Sequence, residues 1–140
     1  MLVSFLCNSI IVGLAVLFHY EALNRIGWLI THIRLFTQIR IMFGVFLALI
    51  AHTVEVAIFA VAYYLMHHRD GFGDLTGNFD GSFLDSLYFS FTVFTTVGFG
   101  DIEPNGALRF LTGIESLTGL VLITWTASFL YVEMQRYWHR

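Results

Sequence analysis

Residues 95–101 read Thr-Thr-Val-Gly-Phe-Gly-Asp and lie between two long apolar runs, which places them at membrane depth or at its edge. Backbone that is neither helix nor sheet is tolerated at that depth only where it is buried in protein or lines water. Gly98 and Gly100 open dihedral angles that other residues avoid, so successive carbonyl groups can turn toward one line. Four such segments around an axis would stack rings of oxygen atoms able to replace the water shell of a cation.

The segment Thr96-Val97-Gly98-Phe99-Gly100-Asp101 resembles the selectivity filter of tetrameric potassium channels, whose usual form is TVGYG. The resemblance implies that dehydrated potassium ions meet main-chain oxygens of Thr96, Val97, Gly98 and Phe99, within a filter that Gly100 completes. Phe99 stands where tyrosine is more usual, and it lacks a hydroxyl that could hydrogen-bond behind the filter. The alternative is a glycine-rich turn in another kind of membrane protein. The flanking hydrophobic spans and the short amphipathic run before the motif favour the filter.

The composition is typical of a protein that has lipid as its solvent. Of 140 residues, 57% are hydrophobic and only 12% are charged, and the mean hydropathy is +0.74. A soluble domain carries about a quarter charged residues. The net charge of -3, with no long basic patch, argues against nucleic-acid binding, and the single cysteine, Cys7, excludes an internal disulfide framework. We expect one domain in a bilayer, with potassium as permeant ligand, no other cofactor and no organic substrate.

Three apolar runs are long enough to cross a bilayer as helices, which takes about 20 residues and at least about 17. They predict an N-terminal transmembrane helix at 1–19, an outer helix at 41–66 and an inner helix at 107–132. A signal peptide is the alternative for the first run, but no basic residue precedes Arg25 and the residues after Phe18 make a poor cleavage site. A minimal potassium-channel pore has two spanning helices, so the first helix is an addition.

The remaining segments complete the expected architecture. Residues 20–40 predict an amphipathic connector in the membrane interface, with a solvated loop as the alternative. The other predicted parts are a polar loop at 67–81, a re-entrant pore helix at 82–94, the filter at 95–101 and a short tail at 133–140. With residues 41–132 as the pore domain, we expect an all-α membrane protein with three transmembrane helices, assembled as a four-fold homotetramer.

Several residues next to the filter match positions that support it in potassium channels. Tyr88 and Phe89 match the aromatic pair that braces the filter from the pore helix, and Thr95 joins that helix to the filter. Asp101 matches the acid that closes the motif, where we expect it to accept hydrogen bonds, with surface exposure as the alternative. Thr92 stands where some members place an acid behind the filter.

The inner helix carries the expected cavity and hinge residues. Gly119 lies nearest to the mid-helix glycine that acts as a hinge in potassium channels, and close helix packing through a small residue is an equal alternative. Thr124 and Ser128 lie one turn apart, so both hydroxyls can line a water-filled vestibule.

Three ionisable residues lie inside predicted spans, where such residues are costly and usually face protein or water. His52 and Glu55 share a helix face, and a hydrogen-bonded pair, or a bond to a neighbouring helix, is favoured over a metal site that would have only two ligands. Glu115 should have a partner, and Thr92 or His52 is the expected one. A direct ion site at Glu115 is the weaker alternative.

The arginines predict the orientation through the positive-inside rule. Arg25, Arg34 and Arg40 lie in the connector and Arg136 and Arg140 in the tail, whereas the filter side holds only Arg69 and Arg109. We therefore expect a plasma-membrane protein with a cytoplasmic C-terminus and an extracellular filter. The acids of the outer loop would either attract cations at the pore mouth or cap helices, and Asp80 or Ser82 is the expected N-cap of the pore helix.

These observations predict a passive potassium-selective channel rather than an enzyme. A weakly selective or non-selective monovalent cation channel is the alternative, since Phe99 and Thr92 depart from the commonest pattern. A membrane enzyme or metal transporter built on His52, Glu55 and Glu115 would leave the filter segment without a purpose.

Overall fold

The computed structural model describes residues 2–33 and 36–138, so Arg34 and Arg140 lie outside the described residues. The elements in chain order are α1 (Leu2–His32), α2 (Thr37–His67), β1 (Leu75–Gly77), α3 (Phe83–Phe94), β2 (Ile102–Pro104) and α4 (Leu108–Trp138). Three helices are long and apolar enough to cross a membrane, namely Leu2–His32, Thr37–His67 and Leu108–Arg136. The predicted all-α fold with three membrane helices and one short helix is confirmed.

The first helix is longer than the sequence pattern indicated. The prediction ended it at residue 19 and assigned residues 20–40 to an amphipathic connector, but α1 runs without a break to His32. The extension follows an apolar stripe, because Ile26 and Ile30 are buried against Ala48 of α2. Most of the predicted connector therefore continues the helix α1, and a short stretch joins α1 to α2.

Helix α2 is the centre of the packing, since it contacts each of the other three helices and packs most extensively against α1 and α3. Phe59 and Tyr63 of α2 and Phe94 of α3 are completely or almost completely buried where these helices meet. A buried aromatic side chain contributes more contact area than any aliphatic one. The short helix α3 is thus held inside a frame built by the two long helices α2 and α4.

Helix α3 starts at a hydrogen-bonded cap, as the sequence indicated. The Ser82 hydroxyl accepts a hydrogen bond from the Asp85 main-chain nitrogen at 3.1 Å, and the Asp80 carboxylate accepts one from the Ser82 nitrogen at 2.7 Å. Hydrogen bonding to Ser82 lowers the pKa of Asp80 below its usual value. Asp80 and Asp85 therefore take part in capping, which is one of the two roles expected for the acids of this loop.

A two-stranded sheet fixes the outer loop beside the end of the filter segment. Strands β1 and β2 are antiparallel, with Thr76 opposite Glu103 and Gly77 opposite Ile102. Just beyond the sheet, the Asn78 nitrogen donates to the Asp101 carbonyl oxygen at 2.8 Å. The final helix α4 then runs to Trp138, so residues 133–138 of the predicted tail at 133–140 extend the helix.

Candidate functional site

The segment that follows α3 alternates in backbone handedness. Thr96, Gly98 and Gly100 have positive φ angles of 60°, 53° and 79°, whereas Val97 and Phe99 between them do not. Within the described ranges, Thr96 is the one residue other than glycine with a positive φ. Alternating left-handed and ordinary residues can present successive peptide oxygens on one side of the chain, as the alternating backbone of an anion-binding nest presents its N–H groups.

The main-chain oxygens of Thr96 through Gly100 are free of hydrogen bonds within the part of the chain that the structure describes. No hydrogen bond there is accepted by a carbonyl oxygen of Thr96 through Gly100. The segment is also exposed, and the side chains of Val97 and Phe99 are 55% and 69% accessible. Unpaired carbonyl groups and exposed apolar side chains therefore occur together in this segment.

The inner end of the segment is tied to α3 through its N–H groups. The Thr96 nitrogen donates to the Val93 oxygen at 2.9 Å, and the Gly98 nitrogen donates to the Thr92 oxygen at 3.0 Å. The Thr95 hydroxyl donates to the Phe91 oxygen at 2.7 Å. These bonds use the last carbonyl groups of the helix as acceptors, so they hold the N–H side of the segment against α3. The opposite, carbonyl side is left open.

Tyr88 supports the outer end of the segment. Its hydroxyl donates to Oδ2 of Asp101 at 3.0 Å, and its ring lies nearly parallel to that of Phe99, with centroids 6.5 Å apart. The structure thus places Tyr88 and Asp101 together behind the outer end of the filter segment. Phe89 lies on another face of α3, where it is buried and packs edge-on against Tyr63 at 5.0 Å.

A buried carboxylate links three helices behind the segment. Glu115 of α4 accepts a hydrogen bond from the Tyr63 hydroxyl of α2 at 2.6 Å and a short one from the Ser90 hydroxyl of α3. The expectation that Thr92 or His52 would be its partner is wrong, because the Thr92 hydroxyl bonds to the Phe89 oxygen of its own helix. Glu115 is fully buried, so each of its two oxygens is satisfied by a hydroxyl rather than by water.

Helix α4 makes its closest approach to α3 at Gly119. A side chain there would collide with the main-chain carbonyl of Phe94. One turn earlier, the Ser116 hydroxyl donates to the Val93 oxygen at 3.0 Å. The structure therefore places Gly119 at a packing contact under the end of the pore helix, within a helix that is continuous through this point.

Thr124 and Ser128 lie on an exposed face of α4. Both hydroxyls donate to carbonyl oxygens of their own helix. The Thr124 hydroxyl lies 3.0 Å from the Leu120 oxygen and 2.9 Å from the Val121 oxygen, and the Ser128 hydroxyl lies 3.0 Å from the Thr124 oxygen. Both retain capacity to accept hydrogen bonds from water. Their exposure suits the predicted cavity-facing role, which stays a prediction.

His52 and Glu55 form the expected pair, and a third residue joins them. Nδ1 of His52 lies 2.8 Å from one oxygen of Glu55, and Nδ1 of His19 in α1 lies 2.7 Å from the other. Glu55 and His19 are both buried. The carboxylate therefore binds the additional N-terminal helix to α2.

Sequence reasoning missed His19, Tyr63 and Ser90. His19 was assigned to the edge of a span, although the apolar pattern continues past it, and an ionisable residue in mid-helix would have been a signal. Tyr63 and Ser90 are uncharged and gave no signal of their own. The need of Glu115 for a partner was the available clue, but the sequence does not fix which helix faces meet.

Comparison with known proteins agrees with this arrangement. A family model described as "Ion channel" matches residues 51–136. The chain is 32% identical over 118 residues to the protein named inward rectifier potassium channel Kirbac3.1 of Paramagnetospirillum magnetotacticum, a match that covers 81% of this chain and 37% of that protein. It is 44% identical over 50 residues, 35% of this chain and 15% of the relative, to the uncharacterized membrane protein YdjJ of Bacillus subtilis (strain 168). No solved structure matches the chain significantly.

Proposed function

The chain belongs to the ion channel family that matches residues 51–136, and we propose from this premise that it forms a potassium-selective pore from four copies of itself. The membership of a channel pore family, expected from the sequence, is confirmed, and the residues of the filter stay a prediction. The relative named as a potassium channel supports potassium as the permeant ion. The chain spans only 37% of that relative, so whole-protein properties are not carried over.

The observation that carries the proposal is the combination of alternating φ angles with unpaired carbonyl groups from Thr96 to Gly100. A cation that has lost its water shell needs several oxygen ligands, and main-chain carbonyl groups supply them without a net charge. The oxygens of Thr96, Val97, Gly98 and Phe99 are the proposed potassium ligands. The Thr96 hydroxyl would form the innermost site, and ions would pass by displacing one another through adjacent sites.

One chain supplies only one side of such a site, so the proposal requires several copies. A ring of four filter segments gives each ion ligands on all sides. Exposed apolar residues at the filter, Val97 and Phe99, together with Leu84 on α3, provide surface for neighbouring copies. Burial of this surface on assembly would be favourable, at about 25 cal/mol per Å² of apolar area.

The orientation proposed from the arginines places the filter outside and the C-terminus in the cytoplasm. The negative end of the α3 dipole then points toward the inner side of the filter, where it favours a cation. Thr124 and Ser128 would line the water-filled space below. Gly98 and Gly100 would face the narrow part of the pore, where a side chain has no room.

Reconstituted protein in liposomes tests the proposal directly. Gly98→Ala should abolish potassium flux, because L-residues rarely adopt a φ of +53° and the added methyl group would enter the filter. Gly71→Ala is the matched control, since Gly71 also has a positive φ, +93°, and no neighbour within 4 Å, but lies in the outer loop. Unchanged flux in the Gly98 variant would refute the proposal.

A non-selective monovalent cation channel is the second candidate. Phe99 lacks the tyrosine hydroxyl, and Thr92 occupies the place where some potassium channels have an acid. Reversal potentials with potassium on one side and sodium on the other separate the candidates. A potential near the potassium equilibrium value supports the selective pore, and a potential near zero supports the non-selective one.

A further inference from the structure

Three potential metal ligands from two helices meet near the centres of those helices. His19 lies near the centre of α1, and His52 and Glu55 lie near the centre of α2. One ligand atom from each residue lies within 4.8 Å of the others. We propose that His19, His52 and Glu55 form a binding site for a divalent transition-metal ion, with Zn²⁺ as the best fit.

The ligand types suit such an ion. Two imidazole nitrogens and one carboxylate oxygen are a set that holds Zn²⁺ with a fourth position left for water. Among first-row divalent ions imidazole favours zinc, copper and nickel over magnesium or calcium, which prefer oxygen ligands.

Each histidine nitrogen already lies close to the carboxylate, and the three ligand atoms, now within 4.8 Å of one another, must draw together around an ion. Nδ1 of His19 and Nδ1 of His52 lie 2.7 and 2.8 Å from the two oxygens of Glu55. Ligand atoms around a tetrahedral Zn²⁺ stand about 3.3 Å apart, given bonds of about 2.0–2.1 Å. The ion would replace the hydrogen atoms that now lie between nitrogen and oxygen, and each neutral histidine would carry its proton on Nε2 instead.

The surroundings provide for that proton at His19. Its Nε2 lies 3.5 Å from the Thr126 hydroxyl of α4, which can accept the N–H and hold the ring in place. An outer hydrogen bond of this kind fixes the tautomer of a ligating histidine. The side chain of His52 is 17% accessible, so the open side of the site lies next to it.

Charge also favours a cation at this place. Glu55 is fully buried in a span, where an isolated carboxylate is costly. The aromatic side chains described next to the site are uncharged, with Trp125 against His19 and Phe94 against His52. A divalent ion would compensate the carboxylate and fasten α1 to α2 beside the last residue of the pore helix.

The test is metal binding by the purified whole protein in detergent, with Zn²⁺ alone as the probe. The wild type should retain one Zn²⁺ per chain after unbound metal is removed, with the zinc content measured by elemental mass spectrometry. His19→Gln and His52→Gln should each reduce the affinity at least tenfold. His68→Gln is the control, because His68 is exposed and bonds to the Tyr64 oxygen away from the site.

X-ray absorption of the zinc-loaded wild type gives a readout that needs no variant. A spectrum that shows two imidazole ligands and oxygen ligands on the zinc, and no sulfur ligand, would support the site. Well under one zinc per chain, a spectrum without imidazole, or equal binding by wild type and both folded histidine variants would overturn the proposal. Conduction is not measured, so the result is independent of the proposed channel function.

Discussion

Thr96 adopts a backbone conformation that is unfavourable for a residue other than glycine. It holds a φ of 60° without the freedom of glycine, and its nitrogen is hydrogen-bonded to Val93. A left-handed conformation costs a non-glycine residue about 1–2 kcal/mol. The neighbouring bonds to α3 must offset that cost, which makes the helix end part of the site rather than a mere support.

The first prediction at this scale concerns Tyr88. Tyr88→Phe removes the hydrogen bond to Asp101 and keeps the ring beside Phe99. A bond of about 0.5–1.5 kcal/mol corresponds to about a two- to tenfold change in an equilibrium, so the permeability ratio of potassium to sodium should fall by that factor. Bi-ionic reversal potentials measure it. Tyr64→Phe, on the outer helix, should leave the ratio unchanged, and equal ratios in both variants would contradict the prediction.

Glu115 gives the second prediction. In Glu115→Leu the Tyr63 hydroxyl keeps only its longer hydrogen bond to the Thr112 hydroxyl at 3.3 Å, and Ser90 keeps only the Val56 oxygen, so the loss of the shared acceptor should cost about 1–3 kcal/mol. Glu115→Gln should cost about 1 kcal/mol or less, because Ser90 can donate to the Val56 oxygen 2.9 Å away and accept from the amide. Unfolding in detergent compares the variants. A leucine variant as stable as the wild type would show that the linkage contributes nothing.

At the scale of elements, the contact between α3 and α4 gives the third prediction. Gly119→Ala places a methyl group against the Phe94 carbonyl, and such overpacking should destabilise the protein by about 1–3 kcal/mol. Gly113→Ala on the same helix has no neighbour within 4 Å and should be neutral or slightly stabilising. Thermal unfolding of the two variants provides the comparison. Equal stability would mean that the helices can separate here without cost.

The elements themselves were largely predictable, for a physical reason. Lipid requires each backbone polar group to be satisfied within its own segment, so a long apolar run has few alternatives to a helix. The end of α1 was not predictable in the same way. Residues 20–32 mix polar side chains with a narrow apolar stripe, and the burial of Ile26 and Ile30 depends on α2 being there.

The side-chain contacts between helices were harder to predict than the helices themselves. The motif at Thr96–Asp101 points to a candidate site from the sequence alone, since the proposed role depends on local backbone geometry. The partners of Glu115 and Glu55 depend on how helices are rotated against each other, and a sequence does not contain that rotation. The need for a partner was therefore visible, while Tyr63, Ser90 and His19 were not.

The fourth prediction concerns the whole molecule. Ions that bind only the assembled filter should stabilise the oligomer, by about 2.7 kcal/mol at a concentration one hundred times the dissociation constant. Four chains should remain together at a higher temperature in potassium than in sodium, as measured by native mass spectrometry after heating. Gly98→Ala should abolish the difference. Monomers at working concentration, or equal temperatures in both salts, would contradict the proposed assembly.

The contact at Gly119 has a mechanical consequence for the assembled molecule. Helix α4 continues for about 19 residues beyond it, a length of roughly 28 Å. With Gly119 against Phe94 as a fulcrum, a swing of about 10° would carry the far end of α4 by roughly 5 Å, and the residues at the fulcrum would hardly move. In the proposed tetramer, the opening between the four far ends of α4 would then widen, while the proposed rings of carbonyl oxygens keep their spacing.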